Sequence, residues 1–253
     1  MATTAILSAL AEEQQGLLGL LQDARQVWHA RREFWLGDLH GQQVVLGLSR
    51  IGKVAAATTA TALIEHFTVQ RIVFTGVAGA LGDAVNIGDV VVATGFVQHD
   101  MDASPLFPRF EVPLYRQSLF ACDAGLTALL LDASQATLNA KPGGVRVISP
   151  PAKPAVHLGL IASGDRFIST AQSAGGLKLA LRAAGIDPLA VEMEGAAVAQ
   201  VCHDYGVPFA AVRTISDHAD DNATTDFQHF VTHVASHYAL GIVNHLVRAL
   251  EKQ

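Results

Sequence analysis

Acidic side chains follow three apolar runs of this chain, at the point where each run ends. They are Glu12 and Glu13 after residues 5–10, Glu192 and Glu194 around the end of 189–191, and Asp217 after 209–215. Because the carboxyl ends of parallel strands lie at one edge of an α/β sheet, a parallel sheet would bring these acids together. Carboxyl groups in one cleft supply general acid and base catalysis and stabilise a developing cation. The pattern favours acid–base chemistry on a neutral polar substrate, and three independent surface turns remain the alternative.

The elements that must position these acids follow from alternating apolar runs and helical patterns. Strands are predicted at 5–10, 28–39 (meandering), 43–48, 71–75, 88–97, 145–149, 157–162, 189–191 and 209–215. Helices are predicted at 17–21, 54–66, 119–138, 170–184, 195–205 and 227–250. This alternation predicts an α/β fold in one domain spanning 1–253, with a twisted, mixed and largely parallel sheet flanked by helices.

A glycine-rich segment, Gly76-Val77-Ala78-Gly79-Ala80, follows the strand predicted at 71–75. Glycines there allow a tight turn or a close approach of the backbone to a ligand. The segment matches neither the dinucleotide fingerprint nor the phosphate-binding P-loop. It therefore predicts a ligand-lining turn without a nucleotide cofactor.

The composition excludes several classes of function. Among 253 residues, 50% are hydrophobic and 16% are charged, and the formal charge is 17 − 23 = −6. With no basic run, a nucleic-acid partner is disfavoured, because binding to a phosphate backbone needs clustered Lys and Arg. Cys122 and Cys202 are far apart and predict no disulfide framework. Since neither a signal peptide nor a membrane-spanning run is recognisable, we expect a cytoplasmic protein without a membrane partner.

Three histidines recur with helical spacing, at His229, His233 and His237. A helix carrying them could bind a metal ion, but no HExxH motif is present and the neighbouring residues are apolar. We interpret them as one flank of a helix and expect no metal site.

Six motifs in order give the chain a family resemblance. They are Ser8-Ala9-Leu10-Ala11-Glu12-Glu13, Ile51-Gly52-Lys53-Val54-Ala55-Ala56, Thr75-Gly76-Val77-Ala78-Gly79, Ser163-Gly164-Asp165-Arg166-Phe167-Ile168, Val191-Glu192-Met193-Glu194 and Arg213-Thr214-Ile215-Ser216-Asp217. Together they resemble the 5′-methylthioadenosine/S-adenosylhomocysteine nucleosidases of the purine nucleoside phosphorylase/uridine phosphorylase superfamily. The match runs from the first predicted strand to the last.

The resemblance implies a nucleoside phosphorylase-like fold and cofactor-free hydrolysis of the N-glycosidic bond, releasing adenine and a thio-substituted ribose, a reaction of methionine salvage. Glu13 resembles the residue that deprotonates the attacking water, and Asp217 resembles the acid that protonates adenine N7. The choice of Glu13 over Glu12 depends on the register of the first motif.

The resemblance also implies a set of substrate-binding residues. These are Glu194 and Met193 at the ribose, Phe167 and Ile168 at the purine, Ser216 and Arg213 as helpers of Asp217, and Ile51, Ala78 and Gly79. Val77 stands where many family members have a serine, which bears on substrate preference.

Several alternatives stay open at this stage. A phosphorylase of the same superfamily would need cations, and the chain offers Arg50, Lys53 and Arg71 near the glycine turns. A futalosine-type hydrolase would share the chemistry with a different 5′ substituent, and a non-catalytic module would bind a nucleoside without cleaving it. The resemblance further implies a homodimer in which the loop 104–115 caps the partner's 5′ pocket.

Overall fold

The computed structural model describes residues 2–14, 16–140 and 153–251, apart from the side chains of Thr232 and His233. Its strands are β1 (Thr4–Ser8), β2 (Gln22–His29), β3 (Arg32–Leu39), β4 (Gln42–Leu48), β5 (Arg71–Ala80), β6 (Val90–Gln98), β7 (Leu119–Ala121), β8 (Val156–Ser163), β9 (Ala190–Glu192) and β10 (Phe209–Asp217). Its helices are α1 (Ala11–Gln14), α2 (Lys53–Glu65), α3 (Ala124–Asn139), α4 (Ala171–Ala183), α5 (Gly195–Tyr205), α6 (Ala223–Phe230) and α7 (Ser236–Leu250). A 3₁₀ turn spans Leu18–Leu20, and a π-helical turn, Val231–Ala235, joins α6 to α7.

All the described strands belong to one mixed sheet, as predicted. Five of them close into a ring, because β5 pairs with β10, β10 with β6, β6 with β8, β8 with β9, and β9 again with β5. From β5 the sheet continues through β1, β4, β3 and β2, and β7 adds to β6. Strands β1, β4, β5 and β10 run parallel to one another.

Both faces of the central strands are covered, which explains their continuous apolar sequences. On β5, Ile72 and Phe74 pack in one apolar cluster and Val73 packs in a second one on the opposite face, as the period of two requires. Helices α2 and α5 contact each other on the first face, and α3 and α7 contact each other on the second. The sheet is therefore held between two helical layers.

Several predicted elements differ from the structure. The glycine-rich segment 76–80 is the second half of β5 and not a turn, since Val77 and Gly79 pair with β10. Residues 119–121 form β7 rather than the start of a helix. The helix predicted at 17–21 is only the 3₁₀ turn Leu18–Leu20, and α1 before it is a single turn. The predicted strand 145–149 lies outside the described residues.

The strands that carry the acids are not all parallel. β9 runs antiparallel to β5, although it is parallel to β8. β9 has only three residues, and on β5 it pairs with Gly79 and Ala80 at the carboxyl end of that strand. Because β9 begins at this edge of the sheet and is so short, its carboxylates stay near the acids that follow β1 and end β10.

Within the described ranges, no helix is long and apolar enough to cross a membrane.

Candidate active site

A cavity of about 430 Å³ opens where β1, β5, β9 and β10 end. The eleven site residues predicted from the sequence all line it: Glu13, Ile51, Ala78, Gly79, Phe167, Ile168, Met193, Glu194, Arg213, Ser216 and Asp217. The cavity is also lined by Glu192, Arg166, Thr224, Phe227 and Gln228, none of which was among the predicted site residues. The motifs are therefore one site in space, although up to 204 residues (217 − 13) separate them in sequence.

Glu13 is buried, whereas its neighbour Glu12 is exposed to solvent. Oε2 of Glu13 accepts the N–H groups of Ala9 (2.8 Å) and Leu10 (2.9 Å), and Oε1 accepts that of Val77 (3.1 Å). Burial raises the pKa of Glu13 above its ordinary value, against the lowering effect of these N–H groups and of Arg213. The single turn of α1 explains why only one of the two adjacent acids faces the cavity.

Two glycines of β5 make room for the acids of the site. A Cβ atom on Gly76 would lie 3.0 Å from Oε1 of Glu13, and one on Gly79 would lie 2.7 Å from Oδ1 of Asp217. Neither glycine has positive φ, so their role is space for a carboxylate rather than a special backbone conformation.

Asp217 ends β10 and is almost fully buried. Its Oδ2 accepts the Ser216 hydroxyl at 2.7 Å, and its Oδ1 accepts the N–H of Ala219 at 2.8 Å. Burial raises the pKa of Asp217, although both hydrogen bonds oppose the shift. A carboxyl group in this setting retains its proton at a higher pH than a free aspartate does.

Arg213 was expected to assist Asp217, but it pairs with Glu192 instead, with Nη2 2.7 Å from Oε2. Its Nη1 donates to the carbonyl oxygens of Phe74 and Val212, and its guanidinium lies over the Phe74 ring at 4.1 Å. Because both partners of the ion pair are nearly inaccessible to solvent, the charge of Arg213 is compensated locally.

Glu192 organises the start of α5. It accepts the N–H groups of Glu194 and Gly195 and the hydroxyl of Ser163, whose oxygen in turn accepts the N–H of Ala196. These are the unpaired N–H groups of a helix N-terminus. Glu192 was noted in the sequence beside Glu194, but its structural role depends on Ser163 and Arg213, which no local pattern connects.

Glu194 is buried next to Glu192, and its Oε1 accepts the N–H of Gly52 at 2.8 Å. Burial, with a further contribution from the negative charge of Glu192, raises the pKa of Glu194 to about 8. The site therefore holds carboxyl groups in different electrostatic settings, with Glu192 neutralised by Arg213 and Glu194 facing the cavity.

The opposite wall of the cavity is apolar and aromatic. Phe167 is 41% exposed and meets Phe227 of α6 edge to face, with ring centroids 5.7 Å apart. Ile168 is buried beside it, and Met193 also lines the cavity. A planar heterocycle suits such a wall, because aromatic rings favour stacked and edge-to-face contacts.

The cations proposed for a phosphate site are engaged elsewhere. Lys53 pairs with Asp100 at 2.5 Å, Arg50 donates to the carbonyl oxygen of Arg31, and neither lines the cavity. Arg71 is at the first residue of β5, at the end of the strand remote from Gly79. Across the part of the chain that the structure describes, no cluster of three or more His, Cys, Asp or Glu side chains is arranged for a metal ion.

Comparisons with known proteins agree with this geometry. The family model of the phosphorylase superfamily matches residues 3–248. The 5′-methylthioadenosine/S-adenosylhomocysteine nucleosidase of Actinobacillus succinogenes is 38% identical over 228 residues, which is 89% of this chain and 90% of the relative.

Two solved structures are similar over almost the whole chain. The Neisseria meningitidis nucleosidase of the same name, in complex with methylthio-immucillin-A, has a TM-score of 0.86 and 32% identity, and the alignment covers 98% of this chain and 100% of that one. A futalosine hydrolase mutant from Helicobacter pylori has a TM-score of 0.84 and 30% identity, with 98% and 100% covered. The chain therefore belongs to the phosphorylase superfamily and, within it, to the 5′-methylthioadenosine/S-adenosylhomocysteine nucleosidase family.

Proposed function

We propose that this protein hydrolyses the N-glycosidic bond of 5′-methylthioadenosine, S-adenosylhomocysteine or both, releasing adenine and the thio-substituted ribose. The observation that carries this proposal is the grouping of Glu13, Glu194 and Asp217, all buried, around one cavity with an aromatic wall. Its relatives named for this activity share 38% and 32% of their residues with the chain.

Cleavage places negative charge on the departing adenine and positive charge on the ribosyl carbon. A protonated Asp217 beside N7 neutralises the charge on the leaving group, and its raised pKa favours the protonated form. In this arrangement the carboxyl oxygens of Glu13 and Glu194 lie towards the sugar, and their negative partial charge stabilises the cation that develops in the transition state. The purine then lies against Phe167 and Ile168, and the ribose lies towards Met193 and Glu194.

Glu13 has the properties of the base that activates water. Two carboxylate oxygens offer four acceptor positions, and three backbone N–H groups occupy three of them. The remaining position is on Oε1, beside the space that Gly76 leaves open. A water bound there gives its proton to Glu13, whose raised pKa makes the carboxylate a stronger base.

The charges favour water over phosphate as the nucleophile. A phosphate dianion requires several guanidinium groups or N–H donors that are free to bind it. Among the described residues, two arginines line the cavity, and one of them, Arg213, is paired with Glu192 at 2.7 Å. The other, Arg166, is a single guanidinium group, which is fewer than a dianion requires. A neutral water needs no such charge.

The nucleophile is tested by following adenine release from methylthioadenosine in phosphate-free buffer. We expect release without phosphate, no acceleration when phosphate is added, and a free reducing sugar rather than a ribose 1-phosphate. A requirement for phosphate would establish a phosphorylase, and binding without release from any nucleoside would establish a binding module.

The 5′ substituent is tested by comparing methylthioadenosine, adenosylhomocysteine and futalosine in the same assay. The similarity to a futalosine hydrolase keeps that substrate as a second candidate. A higher kcat/KM for futalosine than for both thio-nucleosides would assign the chain to that activity. With the thio-nucleosides preferred, we place the reaction in methionine salvage in the cytoplasm.

We also propose that the protein is a homodimer. The loop 104–115 exposes Leu106 and Leu114, which are 84% and 86% accessible, and α2 exposes Val54 close to Ile51 at the cavity. Several apolar side chains this exposed are typical of a surface that another subunit covers.

A further inference from the structure

A closed ring of hydrogen bonds lies next to the contact between Gly52 and Glu194 and joins three segments of the chain. The ammonium group of Lys53 donates to Oδ1 of Asp100 at 2.5 Å, and Oδ2 of Asp100 accepts the backbone N–H of Asp165 at 2.9 Å. Oδ1 of Asp165 then accepts the backbone N–H of Lys53 at 2.7 Å. The chain of contacts thus begins and ends at Lys53.

The ring is adjacent to the contact that orients Glu194. Gly52, whose N–H donates to Glu194, precedes Lys53 and has a φ of 94°, a conformation that glycine adopts without strain. The Asp165 carboxylate packs against it, because a Cβ on Gly52 would lie 3.1 Å from Oδ1 of Asp165. Asp165 therefore binds the N–H of the peptide after Gly52, while Glu194 binds the N–H of the peptide before it.

The ring also reaches the purine side of the cavity. Asp165 is followed directly by Arg166, Phe167 and Ile168, which line the cavity. The preceding residue, Gly164, lies so close to the buried ring of His99 that any Cβ there would collide with it. The segment that carries the aromatic wall is therefore fixed at its start.

The ring is shielded from solvent in part, with side chains of Lys53 and Asp100 only 16% and 30% exposed. Lys53 also donates to Gln98 at 3.0 Å, and Gln98 donates to Gln200 of α5. Helix α5 is the helix that Glu194 precedes. Lys53 is thus tied both to the loop of Gly52 and to the helix behind Glu194.

We propose that Lys53, Asp100 and Asp165 are positioning residues, which hold the Gly52 N–H against Glu194 and fix the ribose-binding loop to the purine-binding segment. This inference rests on the proposed function, in which Glu194 binds ribose hydroxyls. None of the three residues lines the cavity, so we expect their effect to pass through Gly52 and Glu194.

The test compares methylthioadenosine with its 2′-deoxy and 3′-deoxy analogues in wild type, Asp165→Ala and Asp165→Asn. Alanine removes the acceptor of the Lys53 N–H, whereas asparagine keeps a carbonyl oxygen there. We expect Asp165→Ala to lower kcat/KM for methylthioadenosine about tenfold, as for one lost hydrogen bond. The loss should be about twofold or less for an analogue without the hydroxyl that Glu194 binds, and Asp165→Asn should stay within about twofold of wild type.

A second pair of variants and a matched control distinguish the positioning role from a general loss of stability. Lys53→Met should show the same selective loss, and Lys53→Arg should restore most of the activity. The control is Lys178→Met, which breaks another 2.5 Å lysine–aspartate pair, with Asp83, among residues that do not line the cavity. Its kinetic constants should match those of wild type, and thermal unfolding of every variant reports the stability cost.

Equal losses on the hydroxylated and deoxy substrates, or no loss in Asp165→Ala and Lys53→Met, would overturn the positioning role. If Asp165→Ala does not fold, the test of the positioning role is the loss of kcat/KM on the hydroxylated and deoxy substrates in Lys53→Met, compared with that in Lys53→Arg. The proposed function fails separately, when wild type releases no adenine. A wild type that cleaves all three nucleosides equally well would overturn the inference while leaving hydrolysis intact.

Discussion

At the scale of single residues, the site depends on carboxyl groups that burial has shifted from their ordinary chemistry. The pKa values of Glu13 and Asp217 are raised chiefly by burial, and that of Glu194 is raised by burial and by the charge of Glu192. Hydrogen bonds from backbone N–H groups limit the cost, since buried polar atoms need partners. In the proposed mechanism, this one cluster supplies a base for water, an acid for the leaving group and an acceptor for hydroxyl groups.

Replacing Asp217 by asparagine should lower kcat by about 10²-fold or more, as for a lost general acid. An amide still accepts a hydrogen bond from Ser216 or Ala219, so nucleoside binding should persist. Turnover and inhibitor binding are measured together, with the exposed Asp221→Asn as the control. Turnover near the wild-type rate in Asp217→Asn would remove this residue from the mechanism.

The adjacent acids Glu12 and Glu13 should respond very differently to replacement by glutamine. A glutamine at 13 has one acceptor oxygen for three N–H groups, and its amide nitrogen would face N–H donors and could not take a proton from water. Glu13→Gln should therefore abolish measurable hydrolysis, while the exposed Glu12→Gln stays within about twofold of wild type. The reverse order of effects in a steady-state assay would disprove the assignment of Glu13.

The raised pKa of Glu194 predicts a pH dependence of stability. Between its ordinary value of 4.5 and about 8, the folded protein binds more protons at this site than the unfolded chain does. The free energy of unfolding should therefore fall as pH rises through this window. Denaturant unfolding at pH 5 and pH 8 should show a smaller decrease in Glu194→Gln than in wild type or in Glu12→Gln. An unchanged slope in Glu194→Gln would contradict the shift.

At the scale of elements, strand β5 is the support of the site. It carries Gly76 beside Glu13, Val77 as a donor to Glu13, and Gly79 beside Asp217, and it pairs with β1, β10 and β9 along its length. Because the two glycines have no side chain, each leaves space for one carboxylate. The site is accordingly built on a rigid strand rather than on a mobile glycine turn.

Gly79→Ala should reduce both stability and activity. The new Cβ would meet Oδ1 of Asp217 at 2.7 Å, and such overpacking costs about 1–3 kcal/mol. Displacement of Asp217 should also lower kcat. The matched control is Gly175→Ala in α4, where no atom lies within 4 Å of the new methyl group and alanine favours the helix. Thermal unfolding and turnover that are equal in the two variants would rule out the steric role.

At the scale of the whole molecule, a ring of strands between two helical layers brings distant segments to one cavity. The two apolar clusters on opposite faces of the sheet contain most of the largest buried side chains, so the framework is stabilised away from the site. Most of the buried charged side chains line the cavity, where Arg213 and Glu192 compensate each other. Because the apolar clusters stabilise the fold, the site can hold buried carboxyl groups whose burial alone lowers the free energy of unfolding.

A homodimer should be visible in light scattering at micromolar concentration. Leu114 is 86% exposed on the loop 104–115, and covering it would remove apolar surface from water. Leu114→Asp should shift the protein to monomer and raise KM for the thio-nucleosides, because the loop is expected to border the partner's 5′ pocket. Leu179→Asp, at a 74% exposed position on α4, should leave the mass unchanged. A monomeric wild type would refute the dimer.

The sequence predicted the class of fold and eleven of the residues that line the cavity. Alternating apolar runs predicted α/β architecture because strands and helices bury surfaces with different periods, two and 3.6 residues. Helix α5 was predicted with its observed bounds, since Gly195 and Gly206 mark its ends. The family resemblance carried by the six motifs also named eleven site residues, all of which line the cavity, although Thr224, Phe227 and Gln228 of the lining lie outside every motif.

Which of these residues interact depends on the folded molecule. Local pattern could not show that β5 continues through its glycines, because the pairing with β10 that extends it joins residues more than 130 positions apart. The family resemblance assigned Arg213 to Asp217, whereas Arg213 pairs with Glu192, 21 residues earlier on another strand. Local pattern could not distinguish the buried Glu13 from the exposed Glu12 except by motif register, since burial is a property of the packed molecule. The pairing of charges, and with it the reactivity of each carboxyl group, is set by contacts that form only when the ring of strands has closed.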